Sequence, residues 1–221
     1  MSISDLLKFG GKRPDDRAAS AMGEISAPKG PETVVPSKAL PKFLNALSHH
    51  ESPVLVDFGP VIGTNVAFFG EQLGCKLHIE DLATEIDRQT RGGTRDALGE
   101  TLVARFAQSD ASVDGVLCWD IFDFLDPQSA KSVAQQVVRV LRPGGAVMGF
   151  FCTKAVERSP FTKFEILEAT QSLRHRLQAG GGGQKFVLQN RDIIKMFDGL
   201  YVSESFLLKS NTREILLRKR A

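Results

Sequence analysis

Asp57, Gly59 and Gly63, within the nonapeptide DFGPVIGTN (57–65), combine residue types and a spacing suited to holding a nucleotide-like ligand. Such a turn must bend tightly, let the backbone approach the ligand and expose amides at the start of a helix. Glycine serves the first two needs, and the segment TNVAFFGEQLG (64–74) supplies the helix. Val61 stands between the two glycines, and Pro60 removes one amide donor from the turn. A bland role is open to each residue: Asp57 can hydrogen bond the turn amides, and the glycines can serve turn shape and helix packing alone. Further along, Trp119 and Asp120 end an apolar run, VDGVLCW (113–119), with Asp123 close behind. There an aromatic face can flank a cation and the carboxylates can accept a proton, while Trp119 can equally be a core aromatic.

These residues need a scaffold, and the chain alternates strand and helix signals around them. PVLVDF (53–58) has the composition of a short buried strand, KLHIED (76–81) of a second, and LATEIDRQ (82–89) of a helix. Asp126 and Pro127 form an N-cap and first-turn pair for the helix QSAKSVAQQVVRVL, which Arg142-Pro143-Gly144-Gly145 stops before the strand GAVMGFF (145–151). Alternation of this kind builds a parallel sheet with helices on its faces. Between them the pattern weakens, leaving a brief candidate strand at Thr101–Arg105. The last third predicts a helix near 162–178, a Gly-rich break at 180–183, a short helix introduced by Asn190, and the strands SESFLLKS and REILLRKR. So short a link between those two strands forbids a helical crossover and predicts an antiparallel hairpin.

Residues 37–221 are expected to form one domain, opened by the helical segment SKALPKFLNALSHH with Leu40, Phe43, Leu44 and Leu47 on one face. Residues 1–36 are expected to be a flexible arm, rich in Gly, Pro and charge, in which 2–9 form either a short helical turn or a frayed terminus. The net charge of +2 is too small for a purely electrostatic grip on nucleic acid or an anionic membrane. Cys75, Cys118 and Cys152 are far apart, with no metal-ligand spacing, and are expected to be buried free thiols; no metal site is predicted. The N-terminus lacks a hydrophobic signal core and no stretch is apolar enough to span a bilayer, so the expected location is the cytoplasm.

The sequence resembles the class I S-adenosylmethionine-dependent methyltransferases, of the type 11-like kind, over residues 37–221. The resemblance rests on Asp57, Gly59 and Gly63 of an acid-x-Gly-x-Gly-x-Gly motif lacking its middle glycine, and on SVDGVLCWDIFDFLD. The most specific match is VVRVLRPGGAVMGFF. It implies a Rossmann-like three-layer α/β sandwich, with a mostly parallel seven-stranded sheet and an antiparallel C-terminal hairpin strand. It implies S-adenosyl-L-methionine as cofactor, lying across Gly59 and Gly63. Glu80, 23 residues after Asp57, would bind the ribose, with Asp81 as the neighbouring candidate, and Trp119 and Asp120 would stand near the sulfonium. A methyl acceptor is implied as partner, a small molecule being favoured over nucleic acid or membrane. Val61 and Pro60 also fit a chain that keeps this fold as a binding or scaffold module without catalysis.

Overall fold

The computed structural model describes residues 32–167, 172–178 and 181–221. The expected helical turn at 2–9 and most of the arm lie outside them.

The central sheet contains β2 (Val54–Asp57), β3 (Lys76–Ile79), β4 (Val113–Trp119), β5 (Leu141–Cys152), β10 (Leu200–Leu207) and β11 (Thr212–Lys219). Their order is β10-β11-β5-β4-β2-β3. β3, β2, β4 and β5 run parallel, β11 lies antiparallel to β5, and β10 returns antiparallel on β11. The hairpin expected at the C-terminal end is therefore present.

Successive strand residues face opposite sides and fill two cores. Val56, Val116 and Val147 join α3 (Leu82–Gly92), α4 (Leu98–Val103) and α5 (Pro127–Val140) through Ile86, Leu102 and Val137. Leu55, Leu117 and Met148 join α1 (Leu40–Leu47) on the other face through Leu40, Phe43 and Leu47. Asp126 caps α5 as its sequence predicts, accepting from the Gln128 and Ser129 amides, both at 3.0 Å. Less foreseeable is the start of α1, where the fully buried Glu214 of β11 accepts from the Lys38 and Ala39 amides at 3.1 and 3.2 Å.

Two expectations are corrected. The central sheet of the described residues has six strands, not seven, because Thr101–Arg105 is not a strand: Thr101 to Val103 complete α4. Leu98 and Leu102, four apart, bury one helical face against the core, and the Thr101 hydroxyl donates back to the Ala97 carbonyl at 3.0 Å. Nor is 162–178 a helix: its described residues form β7 (Thr162–Leu167) and β8 (Ser172–Leu177), an antiparallel pair. A partner distant in sequence overrides the local helical pattern, since β8 also pairs with β1 (Glu32–Pro36), giving a small sheet ordered β1-β8-β7. The last five residues of the expected arm are thus a strand. β6 (Val156–Ser159) and β9 (Gly183–Lys185) form a third, two-stranded sheet, and α6 (Asn190–Met196) leads back to the central sheet.

Candidate functional site

β3 and β4 lie on opposite sides of β2, so the order of the sheet reverses there and a crevice is expected beyond the carboxyl ends of these strands. Asp57 closes β2 at this point. Its side chain is buried, and its Oδ1 accepts the Gly59 amide at 2.8 Å and the Trp119 indole N–H at 2.6 Å. Burial pushes its carboxyl up to about 6, against the lowering effect of the two hydrogen bonds.

Trp119 closes β4 with a backbone φ of +48°, the left-handed region that a bulky side chain seldom occupies. That geometry accompanies an indole lying against the glycine turn. A Cβ added to Gly59 would come within 2.8 Å of Trp119 Nε1, so the missing side chain at 59 makes room for a residue of the chain itself. The indole stacks on Phe164 of β7 at 5.0 Å, and Phe164 stacks on Phe150 of β5 at 5.1 Å, both pairs with an interplanar angle of 5°. Three nearly parallel rings thus tie β7 of the small sheet to β4 and β5 of the central one.

The turn differs at its other end. Nothing lies within 4 Å of a Cβ built on Gly63, and Val61 is 67% exposed. Gly63 opens α2 (Gly63–Ala67), which continues into a wider π-helical turn, Phe68–Gln72. Buried Asn65 fastens this helix to β7, donating to the Phe164 carbonyl at 2.8 Å and accepting from the Ile166 amide at 2.9 Å. The side-chain amide serves the strand much as a neighbouring strand would.

Glu80 follows β3, half-buried, and is already engaged. Gln108 donates to its Oε1 at 3.1 Å, and the Arg105 guanidinium lies 3.6 Å from its Oε2. Asp81, the neighbouring candidate, has φ +42° and caps α3, accepting from the Thr84 amide at 3.2 Å and its hydroxyl at 2.9 Å.

Asp120 belongs to a second cluster. Lys185 of β9 donates to Asp120 Oδ2 at 2.9 Å and to Asp123 Oδ2 at 3.3 Å, while the Cys152 amide donates to Asp123 Oδ1 at 2.9 Å. Burial pushes the Asp123 carboxyl up to about 6; Lys185 opposes this and Asp120 adds to it. Burial works against the Lys185 ammonium, but the two carboxylates hold it above its ordinary value. The three cysteines are free and buried as expected; burial raises Cys75 and Cys152 to about 11 and pushes Cys118 well above its ordinary value, so all three are thiols at neutral pH.

The structure therefore joins Asp57, Gly59 and Trp119 directly, leaves Gly63 open, and gives Glu80 and Asp120 partners of their own. Asn65, Phe150, Phe164, His175 and Lys185 complete the surroundings, and the sequence pattern singles out none of them for that role. Asn65 was the one detectable signal, a polar residue within an apolar helix. Among the described residues no group of three or more His, Cys, Asp or Glu is arranged to hold a metal, and no helix is long and apolar enough to cross a membrane.

No protein-family model matches the sequence, and no curated protein matches it significantly. Solved structures do share its course. The PH0226 protein of Pyrococcus horikoshii aligns with a TM-score of 0.49 and 12% identity, over 82% of this chain and 88% of that one. An S-adenosylmethionine-dependent methyltransferase of Clostridium acetobutylicum gives 0.48 and 10%, over 82% and 92%. The 1,6-didemethyltoxoflavin-N1-methyltransferase of Burkholderia thailandensis, solved with 1,6-didemethyltoxoflavin and S-adenosylhomocysteine, gives 0.46 and 17%, over 83% and 79%. Likenesses at this level do not assign an activity.

Proposed function

We propose that this chain is an S-adenosyl-L-methionine-dependent methyltransferase acting on a small molecule, its catalytic domain spanning 37–221 with β1 lent by the preceding arm. One observation carries the reading: the Asp57–Gly59–Gly63 turn stands where the strand order reverses, in a sheet that ends in an antiparallel hairpin. The residues fit the nucleoside half of the cofactor. Gly63 has open space beside it, and the Glu80 carboxylate offers acceptors for adjacent hydroxyls once Gln108 and Arg105 share it. The methionine half would share its place with Trp119, which would then flank the sulfonium with its ring. When bound, the cofactor supplies an electrophilic methyl group. The chain's part is alignment of the acceptor, and buried Asp120 is the carboxylate closest in sequence to that place.

A second reading is favoured by the position of Trp119. The indole already makes the hydrogen bond to Asp57 and the close approach to Gly59 that a ligand would make. In that case the fold serves as a binding or scaffold module without catalysis. Calorimetric titration of the full chain with S-adenosylmethionine and S-adenosylhomocysteine separates the two. Micromolar binding that Gly63→Trp abolishes in a folded protein supports the enzyme; no heat at millimolar ligand ends that reading in favour of the second.

A further inference from the structure

A cavity of about 110 Å³ lies at the end of β4, lined by Asp120, Asp123, Phe150, Phe164, His175 and Lys185, with the exposed Ser210 of the β10–β11 turn on its rim. Several waters, or a ligand of a few heavy atoms, would fill it. Its walls come from β5, the added β7–β8 pair, β9 and the segment after β4. The cavity is thus completed only where the insertion meets the central sheet.

One unused hydrogen-bonding position belongs to this lining. Lys185 occupies Asp120 Oδ2, and Asp120 Oδ1 accepts from none of the described residues. His175 Nε2 is buried and has no hydrogen-bond partner, and its ring is fixed edge-on against Phe164 at 4.8 Å and Phe150 at 6.1 Å. Burial lowers the His175 pKa, so the imidazole adds no positive charge to the lining at neutral pH. The charge balance is as informative. Two carboxylates face a single ammonium, so the lining carries one net negative charge at neutral pH.

We propose that this cavity binds a small organic ammonium ion, which donates to Asp120 Oδ1 and neutralises the excess carboxylate charge, with the His175 ring as part of the wall around it. Lys185 holds the two aspartates in position and neutralises one of them. The site stands on this geometry alone. That its occupant is the methyl acceptor rests on the methyltransferase reading above. Phe164 connects the two places, stacking on the indole that covers Gly59 while lining the cavity.

The test uses the full chain without S-adenosylmethionine, so its outcome is independent of cofactor binding. Ethylammonium chloride, sodium acetate and ethanol are titrated at matched ionic strength, and saturation-transfer NMR reads each probe's methyl group. Fluorescence of Trp119, the chain's one tryptophan, reports the protein side. Ethylammonium is expected to saturate in the millimolar range and the other two not. Asp120→Asn should weaken it about tenfold, because a charge-assisted hydrogen bond is replaced by a neutral one. His175→Trp, whose larger ring takes up part of the cavity, should abolish binding even if the aspartate variant fails to fold. Acetate or ethanol matching ethylammonium would overturn the proposal. So would the absence of saturation, or a folded His175→Trp variant that binds as before.

Discussion

Two buried carboxylates of this fold, Asp57 and Asp123, are both pushed up to about 6, by different balances. Asp57 is held by neutral donors, an amide and an indole N–H; Asp123 is held by an amide and the Lys185 ammonium, with a second carboxylate beside it. Neutral donors soften the cost of burying a charge without cancelling it, and leave a group sensitive to proton uptake. A shared ammonium cancels one charge but makes three groups depend on one side chain. The first arrangement suits a turn that must stay shaped, and the second a strap, β9, that must stay attached.

The largest effect should come from breaking the second arrangement. Lys185→Met leaves two neighbouring buried carboxylates uncompensated and is expected to cost about 3–5 kcal/mol in urea unfolding at neutral pH. The loss should shrink at mild acidity as Asp123 takes up a proton. Next comes the pH dependence of Asp57. Its pKa is raised in the fold, so its contribution to stability is fully present below the unfolded value of 3.8 and is lost as pH rises through about 6. That shift amounts to about 3 kcal/mol between the two limits, and Asp57→Asn should flatten this part of the stability profile. A profile unchanged by the substitution would show that Asp57 is not held as described.

Smaller effects test the contact between the turn and Trp119. Trp119→Phe removes one of the two donors to Asp57 and should destabilise by about 1–3 kcal/mol, with the Asp57 carboxyl rising further on NMR titration. Smallest is Val61→Gly at the exposed tip of the turn, expected to change stability by about 0.5–1 kcal/mol or less. Its value lies in calorimetry: under the methyltransferase reading it should tighten cofactor binding, and under the scaffold reading it should change nothing.

The parallel half of the fold was legible because its signals are local. Asp126-Pro127 caps α5 within one turn, and the short link before Thr212 leaves the last two strands only one way to pair; β5 begins earlier than expected, at Leu141, and takes in Arg142-Pro143-Gly144-Gly145. The insertion was not legible, because what decides it is remote. Ser172–Leu177 carries a helix-compatible pattern and becomes a strand through β7 on one side and β1 on the other. The site divides in the same way. Asp57 and Gly59 were found from their spacing, whereas the reason Gly59 must be glycine lies in the tryptophan sixty positions later. Lys185 sits in an unremarkable Gln-Lys-Phe triplet until the fold brings it to Asp120 and Asp123.

The pairing of β1 with β8 also bears on how the chain reaches its native state. Glu32–Pro36 precedes the central sheet in the chain, yet its hydrogen-bonding partner is synthesised only after the first four strands of that sheet and the helices between them. The central sheet can therefore begin to assemble while β1 still waits, and the small sheet closes over the β2–β4 end as a late, long-range step. Shortening or tagging the chain just ahead of Glu32 should slow that closing step more than it alters the assembly of β2 to β5. Refolding followed by Trp119 fluorescence should then lag behind recovery of far-ultraviolet circular dichroism.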